Sequence, residues 1–175
     1  MRLIGLGHAA GVGKDTVGAY LTEQHDFARI AFADSIRSMV SATDADVRRL
    51  VDQHGWEDAK RSHPSVRSAL VTMGDTARTI LGPDVWLRPA LDAVCGPTVF
   101  TDTRHPNEVD AIRQAGGILV KVTRPGFVPL PNATDQALAH WDGWDYELAN
   151  GGSIAELHQA TEAILRHRWP ELHAS

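Results

Sequence analysis

The residues of this chain best suited to chemistry are a lysine behind a glycine-rich turn and arginines placed just after apolar runs. The densest group is Gly7-His8-Ala9-Ala10-Gly11-Val12-Gly13-Lys14-Asp15-Thr16. Glycines let successive backbone N–H groups turn inward as a nest for phosphate oxygens. A helix that follows points its positive end at the same anion. Lys14 then reaches the β- and γ-phosphates of a nucleotide, and Thr16 offers a hydroxyl to a phosphate. Gly11, Val12, Gly13, Lys14, Asp15 and Thr16 are the candidate nucleotide-binding residues. The strict pattern G-x-x-x-x-G-K-[ST] is not met. Counting back from Gly13 puts His8 where the first glycine belongs, and Asp15 stands in place of Ser or Thr. Asp15 has two readings: a ligand for Mg²⁺ or its water, or a negative charge favourable in a helix first turn.

Two more groups carry the same chemistry. Phe32-Ala33-Asp34-Ser35-Ile36-Arg37 follows a short apolar run, and the planar fork of Arg37 suits two parallel hydrogen bonds to a phosphate. Asp34 and Arg37 read otherwise as a solvated helix start. Val99-Phe100-Thr101-Asp102-Thr103-Arg104 is an apolar strand that ends in an acid, with an arginine two residues on. Asp102 at such an end can hold Mg²⁺ through water; a likeness to adenylate kinases, which place Asp and then Arg here, implies Arg104 on the phosphates, and the alternative is a turn cap and a surface arginine. Arg124 follows the next apolar run, and Asp135 is a further polar candidate in the segment after it. Tryptophans at 56, 86, 141, 144 and 169 are read mostly as packing, with stacking on a base as the alternative.

Composition narrows the classes. The 175 residues fit one compact domain. Net charge is −5 with no basic stripe, which argues against a nucleic-acid partner. The single cysteine, Cys95, forms no intrachain disulfide and reads as a small core residue near a helix end. Histidines are not clustered at zinc-ligand spacings. No apolar run approaches the ~20 residues that span a bilayer. The expectation is a cytoplasmic protein.

The elements that must position these groups follow from periodicity and breakers. Strands are expected at Arg2–Leu6, Ala28–Phe32, Thr98–Asp102, Ile118–Thr123 and Trp144–Leu148. Helices are expected at Asp15–His25, Ser35–Ala42, Asp44–Gln53, Pro64–Leu81, Asp84–Val94 and Asn107–Ala115, with a last one capped by Ser153. His54–His63 reads as a polar loop, and Arg124–Asp142 as a loop or lid with at most one helical turn. Alternation of strands and helices implies an α/β fold: a parallel sheet of about five strands with helices on both faces. The expected organisation is one P-loop domain, with a core of 1–33 and 96–175. A helical insertion of about 34–95 would lie over the carboxyl ends of the strands, and a lid would span about 124–143.

Together these residues resemble the phage-encoded deoxynucleoside monophosphate kinases. That family shows Gly-Lys-Asp-Thr, then Phe-Ala-Asp, a Gly–acid–x–x–Arg stretch and Pro-Asp-x-Trp. Here these are residues 13–16, Phe32-Ala33-Asp34, Gly74-Asp75-Thr76-Ala77-Arg78 and Pro83-Asp84-Val85-Trp86. Asp102-Thr103-Arg104, Pro106-Asn107-Glu108 and Arg124-Pro125-Gly126 continue the match, which runs from Leu3 to about Leu157. Two departures stand out. Asn132-Ala133-Thr134-Asp135 replaces a His-x-Ser-Glu, and the loop has one residue more between Gly7 and Gly13 than the strict motif. The resemblance implies in-line transfer of a phosphoryl group from ATP, with Mg²⁺, to a (deoxy)nucleoside monophosphate. It implies Lys14, Arg37, Arg104 and Arg124 as the catalytic cations. Asp34, Arg37, Arg78, Trp86, Asp102 and Arg104 would lie around the acceptor, and Asp15, Thr16 and Asp102 around the metal. The alternatives are another small-molecule P-loop kinase, such as one acting on dephospho-coenzyme A, and a nucleotide-binding protein without an acceptor. Monomer and homodimer are both open, as is the base; a phage-encoded protein would work in its host's cytoplasm.

Overall fold

The computed structural model describes residues 1–127 and 136–173. In chain order its elements are β1 (Leu3–Gly7), α1 (Lys14–His25), β2 (Ala28–Ile30), α2 (Ala33–Thr43), α3 (Ala45–Ser62), α4 (Pro64–Leu81) and α5 (Leu87–Asp92). There follow β3 (Thr98–Thr103), α6 (Pro106–Gln114), β4 (Ile118–Thr123), β5 (Tyr146–Ala149), α7 (Ile154–Arg168) and a 3₁₀ turn at Pro170–His173. The chain forms two compact units, Met1–Ala31 with Val94–Ser175, and Phe32–Ala93.

The first unit is built on a five-stranded sheet in the order β2-β3-β1-β4-β5, every pair parallel. This is the expected α/β class. β1 lies at the centre and is buried along its whole length, which is why it reads LIGLG rather than alternating with polar residues. Ile4, Leu6, Val120, Val122 and Leu148 join Val17 and Leu21 of α1 and Leu157, Leu165 and Trp169 of the C-terminal segment in one core cluster. Ser153 caps α7 as the sequence predicts: its Oγ accepts from the Glu156 N–H, and Glu156 accepts from the Ser153 N–H.

α1 and α7 also meet through polar groups. The Tyr20 hydroxyl donates to Glu162 Oε1 at 2.6 Å, the His25 ring meets the same oxygen, and Tyr20 stacks on His158. Burial first, and then Glu162, push the Tyr20 phenol up to about 12. The unfolded phenol titrates near ~10. The folded state therefore holds this proton more tightly, and the stability it contributes is present below pH ~10 and lost as pH rises toward 12. Tyr20→Phe should melt below wild type at pH 8, and the gap should narrow above pH ~10. A gap constant across that range would contradict this coupling.

The second unit is helical. Ile36, Val40, Val47, Ala59, Val66, Ala77 and Trp86 form its core. Three expectations are corrected. His54–His63 is not a loop: helix runs on to Ser62, broken only at Gly55, whose φ of 73° and ψ of 163° are not helical. Ala59 is buried there, and Glu57–Lys60 and Asp58–Arg61 pair one turn apart. Polar composition hid an exposed, ion-paired helix. The helix expected at Asp84–Val94 is confined to Leu87–Asp92, and residues before it form a turn in which Leu87 and Arg88 donate to the Asp84 carbonyl. Cys95 is exposed in the connection to β3, not in the core.

Candidate functional site

Residues 8–13 leave the carboxyl end of β1 and enter α1 as a loop with three left-handed residues, His8 (φ 85°), Gly11 (φ 78°) and Gly13 (φ 109°). His8 thus adopts the backbone conformation that a glycine would take at the position it fills, at a cost of about 1–2 kcal/mol for a residue with a side chain. Gly13 is the N-cap of α1, and Asp15, itself exposed, lies in its first turn. Lys14 is 5 % exposed, and its ammonium donates to the carbonyl oxygens of His8, at 3.3 Å, and Ala9. The cation is therefore held within the loop by the loop's own backbone. Thr16 is half-buried one residue after Asp15.

Parallel pairing brings the other candidates of this unit to the same edge. β3 and β4 flank β1, with Thr103 and Lys121 opposite Gly7. Asp102 and Arg104, both half-buried, stand at the end of β3, and exposed Arg124 is the first residue after β4. Buried Glu108 fixes the turn after β3, accepting from the Arg104 and His105 N–H groups at 2.7 and 3.0 Å. Asp15, Thr16 and Asp102 are hard oxygen donors. Among the described residues no cluster of three or more His, Cys, Asp or Glu could hold a metal alone. That donor set fits Mg²⁺, which keeps waters and binds through one or two carboxylates plus nucleotide phosphates.

In the helical unit, Arg37 lies beside a cavity of about 320 Å³ bordered by Asp34, Arg37, Ser38, Ser41 and Trp56. Its guanidinium meets Asp34 Oδ1 at 3.5 Å and Glu57 Oε1 at 3.2 Å, and sits 5.8 Å from the Trp56 ring centre. Arg78 pairs with Asp75 at 3.6 Å on α4. Trp86 is 3 % exposed, its indole N–H donating to the Gly74 carbonyl at 3.1 Å, so it occupies the core of this unit rather than an open face. Asp135 and the Asn132–Asp135 departure lie outside the described residues, as does part of the expected lid.

Around these groups stand Asn150, Phe127 and Glu57, which the sequence did not single out, and Trp56 and Trp144, which it read mostly as packing. Asn150, just past β5, donates from Nδ2 to the Val12 carbonyl at 2.9 Å, and its amide blocks the space a side chain at Gly13 would need. The Trp144 ring closes the same space at Gly7, and the Phe127 ring lies 3.3 Å from where a Cβ on Gly11 would be. Trp56 and Glu57 frame Arg37. The available signal for Asn150 was its place just past the end of the last expected strand, directly before Gly151-Gly152. A wider opening of about 420 Å³ lies along β4 and β5, lined by Lys121, His140, Trp141, Trp144 and Glu147 among others. Of its lining residues, Trp144 also stands against Gly7 of the glycine-rich turn.

No family model matches the sequence. A protein of Acanthamoeba polyphaga mimivirus named "Putative deoxynucleotide monophosphate kinase" is 26% identical over 181 residues, covering 90% of this chain and 93% of its own. Among solved structures, shikimate kinase from Aquifex aeolicus aligns with TM-score 0.49 at 14% identity, covering 98% of this chain and 99% of its own. A sugar kinase from Janibacter sp. HTCC2649 aligns with TM-score 0.44 at 13% identity, covering 98% and 94%. Likenesses at these TM-scores say nothing of activity. The resemblance carried by the motifs is matched by the mimivirus relative: over nearly its whole length this chain is similar to a protein named for deoxynucleotide monophosphate kinase activity.

Proposed function

We propose that this protein is a kinase that transfers the γ-phosphoryl group of ATP to a (deoxy)nucleoside 5′-monophosphate. The observation that carries the reading is the loop between β1 and α1. Its left-handed residues and N-cap glycine turn backbone toward an anion, and it holds Lys14 in place. The full-length likeness to the mimivirus protein supports the acceptor class.

In this reading the N–H groups of residues 11–16 bind and orient the donor phosphates. Lys14 neutralises charge as the β–γ bond breaks. Arg104 and Arg124, at the ends of β3 and β4, add positive charge at the same sheet edge. Arg37, already oriented by Asp34 and Glu57, presents its remaining N–H groups to the acceptor phosphate. Asp15, Thr16 and Asp102 would hold Mg²⁺, whose part is to neutralise phosphate charge. No strong general base is needed, because the acceptor phosphate is already an anion and positioning with charge stabilisation does most of the work.

ADP should form from MgATP only when a nucleoside monophosphate is added, and not with dephospho-coenzyme A. ADP formed equally without acceptor would sink the reading. Asp102→Asn should shift the Mg²⁺ titration to higher concentration with a smaller change in acceptor KM. An unchanged titration would make Asp102 structural.

A further inference from the structure

We propose that Asn150 is a positioning residue for the phosphate loop, fixing the peptide plane between Val12 and Gly13. The inference rests on the kinase reading, because it concerns how that loop is held ready for ATP.

The geometry is specific. Asn150 is the first residue after β5, and its backbone N–H donates to the Thr123 carbonyl at 2.7 Å, which ties it to the end of β4. Its side chain is thereby set on a rigid strand end. From there Nδ2 donates to the Val12 carbonyl oxygen at 2.9 Å, across 138 residues of sequence. The same amide lies against Gly13, where it leaves no room for a Cβ.

A peptide group is planar and trans, so its C=O and N–H point to opposite sides. Holding the Val12 carbonyl toward Asn150 therefore holds the Gly13 N–H away from Asn150, among the N–H groups the reading assigns to phosphate. Gly13 lacks a side chain and rotates freely, so nothing in its own chemistry chooses between this plane and the flipped one. Flipped, the plane would aim a carbonyl oxygen at the phosphates. Asn150 selects the donor-inward plane before ATP arrives, and ATP then meets a preorganised nest. Asn150 need not touch substrate.

The test is MgATP affinity by calorimetry, acceptor KM, kcat and the melting temperature without nucleotide, for wild type, Asn150→Ala and Asn150→Asp. Alanine removes the donor and leaves room for water. Aspartate keeps the shape but turns a donor into an acceptor facing the Val12 carbonyl. Both variants should bind MgATP more weakly, on the order of tenfold for alanine and more for aspartate, with acceptor KM close to wild type. A purely structural role would lower the melting temperature and leave MgATP affinity per folded molecule unchanged, which would overturn the inference. So would equal losses of donor and acceptor affinity. If wild type itself binds no MgATP, the kinase reading falls, and this inference with it.

Discussion

Lys14→Ala should lower turnover by about 10²–10³-fold while the circular dichroism spectrum stays that of the wild type. The ammonium is held by the loop itself, through the His8 and Ala9 carbonyls. It is 5 % exposed, so its charge acts in a site largely screened from bulk water, where it counts for more than at the surface. Both of these bonds are to loop backbone. The core cluster of Ile4, Leu6, Val17 and Val120 does not depend on it. Lys14→Met, which keeps most of the apolar stem, should be as inactive as alanine, because stem packing is not what the reaction uses. A folded variant retaining most of its activity would remove the loop from the mechanism.

Arg37→Ala should raise acceptor KM or depress turnover by one to two orders of magnitude, with MgATP affinity little changed. Loss of a charge-assisted pair of bonds costs roughly 1.5–3 kcal/mol. The side chain is 21% exposed and its two carboxylate partners, Asp34 and Glu57, are 42% and 65% exposed. Ion pairs that open to water contribute little to folding, so a large kinetic effect would report on substrate rather than stability. Arg37→Lys should recover little, since an ammonium cannot reproduce the two-pronged geometry or the stacking near Trp56. Kinetics with each substrate varied in turn are the check. Wild-type acceptor parameters in the alanine variant, or a fall in MgATP affinity instead, would contradict the assignment.

The three inner strands were legible because they are short apolar runs closed by breakers, whereas the edge strands β2 and β5, half-polar and partly exposed, stop at Ile30 rather than Phe32 and begin at Tyr146 rather than Trp144. Leu3–Gly7, Thr98–Thr103 and Ile118–Thr123 each fall within a residue of the expected bounds. The glycines and lysine at 11–14 mark the loop between β1 and α1 for the same reason. Failures came where tertiary contact outweighed local composition. The helix after Gly55 is polar on its exposed face, and its anchoring residue, Ala59, is too small to show a period. Trp86, offered by motif as an acceptor contact, fills the helical core with its N–H on Gly74. Asn150 and Trp144 brace a loop far from them in sequence, a relation that exists only once β4 and β5 pair. His8, which stands where the motif has a glycine, takes a positive φ of 85°, a conformation that glycine adopts most readily.

The central claim is tested most directly by following the label from γ-labelled ATP, with Mg²⁺, in the presence of each deoxy- and ribonucleoside monophosphate in turn. The account predicts labelled nucleoside diphosphate from at least one deoxynucleoside monophosphate, with one ADP formed per label transferred, at a rate about 10²–10³-fold lower with Lys14→Ala. Label that appears only as inorganic phosphate, at a rate the monophosphates do not change, would contradict it.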